Sequence, residues 1–319
     1  VDVIGRTSIG FINRYDGRVN ELDKSNREAY VILDGAMGTE LARRGVDTGL
    51  PLWSANALLS APQIVRQIHQ DYLHAGAQVI TTDTFRTNTR TLMRAGLYER
   101  MHELTHLAVT LAHQAVDDVA QKTGRGRALI AGSMAPVEDC YSPWLTPQDE
   151  TVLLAEHTEL AQHLYAAGCD LLLIETMNTV REAVAAVRAA QATGLPVWVS
   201  FMLGPDNHLL SGETLKEALH GVMAYQPQAV LVNCLPVAQV PSALTELQQD
   251  LPPDVWVGAY ANAGHVEEEG WSLAHGVTPI AYAQAANCWR RMGAHILGGC
   301  CGTRPEHIAA LTERLAIGD

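Results

Sequence analysis

Ile296-Leu297-Gly298-Gly299-Cys300-Cys301-Gly302-Thr303 joins a short apolar run to a glycine turn. Arg304-Pro305-Glu306 then opens a stretch with helical spacing. Thr303 stands where a helix cap is expected and Pro305 at a first helical position. An apolar strand that ends in a tight turn and feeds a capped helix is one βα unit.

The same unit recurs along the chain. Short apolar or β-branched runs lie at Tyr30–Leu33, Gln78–Thr82, Ala128–Ala131, Asp170–Ile174, Pro196–Phe201, Ala229–Val232, Val255–Ala259 and His295–Leu297. Helical stripes follow them, at Ile64, Ile68 and Tyr72, then Leu104 to Ala112, Leu153 to Leu164, Ala183 to Ala190, Leu215 to Met223, Val240 to Leu247, Ala281 to Met292 and Ile308 to Leu315. Thr146-Pro147 is read as the cap of the third helix. Eight strands alternating with eight helices over about 290 residues predict a single-domain α/β fold, a (β/α)8 TIM barrel spanning 29–319. The competitor is an open doubly wound sheet, which carries a glycine-rich fingerprint after its first strand. Asp34-Gly35-Ala36-Met37-Gly38 lacks that spacing. Residues 1–28, polar and without sustained periodicity, read as a leader outside the barrel.

Bulk chemistry narrows the function classes. The apolar fraction of 47% and charged fraction of 18% are those of a globular protein. A net charge of −13 argues against nucleic acid and anionic membranes as partners, because both reward basic surfaces. No run approaches the roughly 18 apolar residues of a membrane span, and no signal peptide is visible. Six cysteines show no disulfide framework, which points to a reducing compartment and the cytoplasm. The partners expected are small-molecule substrates. Oligomeric state is left open.

In barrels of this kind the chemistry sits at the C-terminal strand ends. Taken in order these ends carry Asp34, Asp83, Ser133, Glu175, Asn233 with Cys234, Tyr260 with Asn262, and Cys300 with Cys301. Adjacent cysteines do not readily bridge each other, but two thiolates on a glycine turn suit a soft metal. With Cys234 they give three sulfurs and one open position, the ligand count of a catalytic zinc. Cys140, Cys169 and Cys288 are read as small buried hydrophobes. The thirteen histidines are read as surface or core-edge residues with no grouping to rival the cysteines. Glu175 reads as a substrate ligand against a solvated loop charge. Asp83 reads equally as a site group or the cap of the next turn. Phosphate binding by the last turn and helix is the rival reading of the Gly298-Gly299 segment, and cysteines are not what a phosphate needs.

Asp34-Gly35-Ala36-Met37-Gly38-Thr39-Glu40-Leu41, Pro51-Leu52-Trp53-Ser54-Ala55, Ile174-Glu175-Thr176, Ser211-Gly212-Glu213, Val232-Asn233-Cys234 and Gly298-Gly299-Cys300-Cys301-Gly302-Thr303 together resemble the homocysteine S-methyltransferase family. The resemblance runs from about Tyr30 to Leu315. It implies a zinc-containing barrel that moves a methyl group onto the sulfur of homocysteine, giving methionine. Cys234, Cys300 and Cys301 would hold Zn2+, whose fourth position takes the homocysteine thiolate. By the same resemblance Glu175 would hold the amino group, and the backbone around Ala36 and Met37 the carboxylate. Asp34 would lie close to the reacting sulfur, and Asn233 would support the neighbouring loop.

The donor half is less determined. Pro51-Leu52-Trp53-Ser54-Ala55 looks like the members that use S-methylmethionine, the first choice, with betaine second. The loop Gly132-Ser133-Met134-Ala135-Pro136-Val137-Glu138-Asp139-Cys140-Tyr141 departs from the Gly-Ser-x-Gly-Pro-Tyr-Gly of those members. Tyr260-Ala261-Asn262-Ala263-Gly264-His265 likewise replaces their usual Tyr-Pro-Asn-Ser-Gly-Glu. Thr84-Phe85-Arg86-Thr87-Asn88 is similar to the homocysteine module of folate- and cobalamin-dependent enzymes. Another thiol or selenol acceptor is one alternative. A non-catalytic barrel stabilised by zinc is another, and would call for a fourth protein ligand.

Overall fold

The computed structural model describes residues 29–267, 270–272 and 276–317; the leader expected at 1–28 lies outside them. Eight strands form the barrel: β1 (Val31–Ile32), β2 (Val79–Thr81), β3 (Leu129–Met134), β4 (Leu171–Met177), β5 (Val197–Phe201), β6 (Ala229–Pro236), β7 (Trp256–Asn262) and β8 (Ile296–Gly299). They hydrogen-bond in the order β1-β8-β7-β6-β5-β4-β3-β2, every pairing parallel. A parallel bridge from Leu33 to Val79 closes the ring between β1 and β2. The expected barrel is therefore present.

Eight helices follow the strands: α1 (Pro62–Ala75), α2 (Met101–Thr123), α3 (Glu150–Ala167), α4 (Val180–Gln191), α5 (Leu215–Met223), α6 (Val240–Asp250), α7 (Pro279–Arg291) and α8 (Pro305–Ile317). Each buries the stripe seen in the sequence. In α1, Val65, Ile68, His69, Tyr72 and Leu73 are buried, at steps of three and four that line one helical face. Outside the barrel, His265–Glu267 and Gly270–Ser272 pair as an antiparallel hairpin.

The pleat sorts strand residues into two cores. Val31, Leu33, Leu129, Ala131, Leu171, Leu173, Ala229, Leu231, Trp256 and Tyr260 pack together inside the barrel. Ile32, Ile130, Leu172, Ile174, Val230 and Val257 face the helices instead. Alternation then fixes the next inward positions. After Leu129 and Ala131 comes Ser133; after Leu171 and Leu173, Glu175; after Ala229 and Leu231, Asn233. Polar side chains thus enter the lumen at its C-terminal mouth by continuing the parity of its apolar floor.

Two helix starts differ from expectation. Asp149, not Thr146, caps α3, its side chain accepting from the Thr151 amide at 2.8 Å; Thr146 is buried and its hydroxyl donates to Glu182. Thr303 is turned away from α8 altogether, into the site described next.

Candidate active site

A cavity of about 350 Å³ opens at the C-terminal mouth, lined among others by Asp34, Met37, Asp83, Glu175, Cys234 and Cys300. The sulfurs of Cys234, Cys300 and Cys301 all lie within 4.8 Å of one another, Cys234 and Cys301 at 4.0 Å. The three expected ligands therefore meet although β7 lies between their strands.

Local backbone aims them. The register between β6 and β7 shifts between Asn233 and Pro236, and Cys234 sits there at φ +57°. A bulge of this kind re-aims a side chain, so Asn233 and Cys234, neighbours in sequence, serve the same mouth. The register between β4 and β5 shifts between Ile174 and Met177, with Thr176 at φ +60°. On β8, a Cβ at Gly298 would stand 2.5 Å from Leu33 Cβ, and one at Gly299 2.4 Å from Thr303 Oγ1. Only glycine lets the last strand lie this close to its neighbours.

Asn233 ties these irregular points together. Its Oδ1 accepts from the Thr176 amide at 3.0 Å and from the Ser200 hydroxyl at 2.7 Å. Its Nδ2 donates to Thr176 Oγ1 at 2.8 Å and reaches Cys300 Sγ at 4.0 Å. Thr303, which the sequence suggested as a helix cap, is a second tie. Its hydroxyl donates to the Cys300 carbonyl at 2.7 Å and accepts from the Ala36 amide at 3.1 Å. Tyr72 completes this side, donating to the carbonyls of Ala36 and Thr303.

The carboxylates are buried and shifted. Glu175 accepts from the Ser133 hydroxyl at 2.5 Å and from the Tyr260 hydroxyl at 3.4 Å. Burial outweighs these bonds and pushes its carboxyl up to about 7. Asp34 accepts from the Thr81 amide at 2.8 Å and the Thr81 hydroxyl at 3.0 Å. Burial still raises it to about 8, with Glu175 adding repulsion. Asp83 does not cap the turn that follows; Asn88 caps the short helix Thr89–Arg94 there, accepting from the Thr91 amide. Neither Asp83 oxygen meets a hydrogen bond of ordinary length. Burial pushes Asp83 up to about 6, only partly offset by the Ser54 hydroxyl.

Among the thiols, Cys234 is pulled well below the ordinary range because Cys300 and Cys301 donate to its sulfur. Those bonds hold Cys300 and Cys301 well above it. Tyr141 adds its hydroxyl at 3.4 Å from Cys234 Sγ. Tyr141 was not singled out in the sequence, although it lies in the loop after the third strand, where site residues are expected. Cys140 and Cys169 are buried as expected, whereas Cys288 is exposed on α7. His102, His106 and His163 lie at the surface or core edge as expected, but the expectation that no H-x-x-x-H or H-E-x-x-H grouping rivals the cysteines is overturned, for the three form a second cluster of potential ligands. The signal was present as His102-Glu103-Leu104-Thr105-His106, two histidines one helical turn apart.

On the far side of the cavity are Trp53 and Phe85, edge to face at 5.4 Å. The Arg86 guanidinium lies 5.8 Å over the Phe85 ring, near Asp139 at 3.6 Å, with its buried Nε unpartnered.

The chain is thus a parallel eight-stranded barrel with three thiols and the buried carboxylates Asp34 and Glu175 at its mouth. The homocysteine S-methyltransferase family model matches residues 31–315, and the chain belongs to that family. It is 32% identical over 310 residues to the homocysteine S-methyltransferase of Escherichia coli (strain K12), covering 91% of this chain and 96% of that one. It is 30% identical over 295 residues to homocysteine S-methyltransferase YbgG of Bacillus subtilis (strain 168), covering 87% and 92%. The metallated form of the homocysteine methyltransferase MmuM from Escherichia coli superposes with a TM-score of 0.79 at 29% identity, covering 89% of this chain and 96% of that one. Among the described residues no helix is long and apolar enough to cross a membrane.

Proposed function

We propose that this chain methylates homocysteine from a small cationic donor, S-methylmethionine or a related sulfonium before betaine, with zinc held by Cys234, Cys300 and Cys301. The observation that carries this is the meeting of three sulfurs within 4.8 Å in the wall of a cavity that also holds Glu175 and Asp34. The donor set fits the metal: three thiols suit zinc, and among the described residues the group stops at three, as a catalytic rather than a structural site requires. When bound, zinc would lower the pKa of the acceptor thiol from its ordinary ~8.5 and so supply a thiolate nucleophile at neutral pH.

The chain's own residues do the remaining work. Glu175, fixed by Ser133 and Tyr260, faces the acceptor's ammonium group. That charge restores the carboxylate which burial disfavours. The acceptor carboxylate falls to the amides following Ala36, beginning with Met37, because the Ala36 N–H is engaged by Thr303. Asp34, holding its proton near neutral pH, sets the polarity beside the acceptor sulfur. Asn233 positions Thr176 and Cys300. Catalysis is then mainly alignment. The acceptor sulfur forms a bond to the methyl carbon as the donor's sulfur–carbon bond breaks. The bonding pair stays on the departing thioether, and the thiol proton is released to solvent.

Trp53, Phe85 and the unpartnered Asp83 suit a cationic donor, through ring faces and charge. Arg86 suits a donor that carries its own carboxylate. Closely spaced thiols survive as ligands only when reduced, which supports a cytoplasmic setting.

The deciding experiment offers homocysteine with S-methylmethionine, betaine or a folate donor and reads methionine. Methionine formed fastest with S-methylmethionine supports the reading; no methionine from any sulfonium overturns it. Glu175→Gln keeps the size and one acceptor oxygen and removes the charge, so KM for homocysteine should rise about tenfold or more. An unchanged KM would remove Glu175 from the ammonium site.

A further inference from the structure

Away from the cavity, α2 and α3 bring three imidazoles together. His102 and His106 stand one turn apart on α2, their rings stacked at 4.0 Å between centroids. His163 on α3 meets them edge-on at 5.3 and 6.4 Å. Ligating nitrogens of all three lie within 4.8 Å of one another. None of these residues lines the methyl-transfer cavity.

We propose that His102, His106 and His163 form a second metal site, for a divalent ion of the zinc, nickel or copper type, which pins α2 to α3. Several observations converge on it. Histidines four apart share one helical face and can grip a single ion, and the third comes from the helix packed alongside. Imidazole suits these metals, and a site without thiolates or a carboxylate cage does not select calcium or magnesium. The Nε2 of His106 is buried and has no hydrogen-bond partner, which a bound ion would supply. Glu159, the acidic neighbour of His163, is already engaged by Thr89 at 2.7 Å and Tyr98 at 3.3 Å.

The spacing His102-Glu103-Leu104-Thr105-His106 is also that of hydrolytic zinc helices, in which the glutamate activates water. Here Glu103 is turned away to Arg100, with contacts of 2.6 and 2.8 Å, and its side chain is 57% exposed. The site is therefore a clamp on the outside of the barrel and not a hydrolase.

The test is equilibrium dialysis of the whole chain against micromolar Zn2+, with metal counted per chain and unfolding temperature followed. Wild type should take up a second ion beyond the one held by the cysteines, and that ion should raise the unfolding temperature. His106→Ala and His163→Ala should each lose the second ion and the temperature gain while keeping full methyl-transfer activity. A Cys300→Ser/Cys301→Ser variant should retain the histidine-bound ion, which separates this site from the proposed catalytic one. Equal metal content in wild type and the histidine variants, or a second ion taken up only at millimolar metal, overturns the proposal.

Discussion

At the scale of single residues, Asn233 makes the most bonds to other site groups. It serves Thr176, Ser200 and Cys300 from a fully buried position. Replacing it by alanine leaves several buried groups unpartnered, each worth about 1–3 kcal/mol. Asn233→Ala should lower stability in urea by at least about 2 kcal/mol and reduce zinc retention as well. Asp83 gives a pH signature. Its folded-state value of about 6 lies above the ordinary 3.8, so the native state binds the proton more tightly than the unfolded chain does. Its contribution to stability is therefore present below about 4 and lost as pH rises through 6. Asp83→Asn removes that loss. Its stability relative to wild type should rise between pH 4 and pH 7.5, as read by denaturant unfolding; a constant difference would contradict it. The sequence showed the residue types at the mouth but not these couplings. Asn233, Thr303 and Tyr72 reach partners as far as 267 positions away, and no local spacing encodes such pairs.

At the scale of elements, each strand and helix stripe was legible, because a period of two and a period near 3.6 are both local signals. The strand ends were not. β4 and β6 run on past the apolar residues through Thr176 and Cys234, where register shifts and positive φ values turn the chain. A bulge depends on the partner strand, so neither Thr176 nor Cys234 announces one by itself. The Thr146 cap failed for a related reason: its hydroxyl found Glu182 on α4, a contact made only in three dimensions. Gly298 offers the test at this scale. An added methyl would strike Leu33 at 2.5 Å, forcing β8 off β1. Gly298→Ala should cost about 1–3 kcal/mol and loosen Cys300 and Cys301, lowering zinc content more than it lowers helix content by circular dichroism.

At the scale of the molecule, the inner and outer cores are built from apolar residues, and of the three cysteines Cys300 packs against the inner one. The apolar residues of the lumen lie beneath the mouth, and the helices cover the outer face of the sheet. Chelation should therefore abolish methyl transfer while leaving the far-ultraviolet spectrum and cooperative unfolding in place. Loss of structure on chelation would instead mark a structural zinc. The methyl donor was not legible in the sequence. The wall proposed for it draws on Trp53, Asp83, Phe85 and Arg86, which line the cavity from separate segments of the chain.

The position of β8 has a consequence for biosynthesis. It is the last strand of the barrel to be made and slots between β7 and β1. Until it does, Cys300 and Cys301 have no lasting contact with Cys234, which is 67 positions behind Cys301. A nascent chain still lacking this strand holds one sulfur of the three. On the proposed ligand assignment, metal loading would wait for the ring to close, so a fully charged centre would certify that the barrel has been completed.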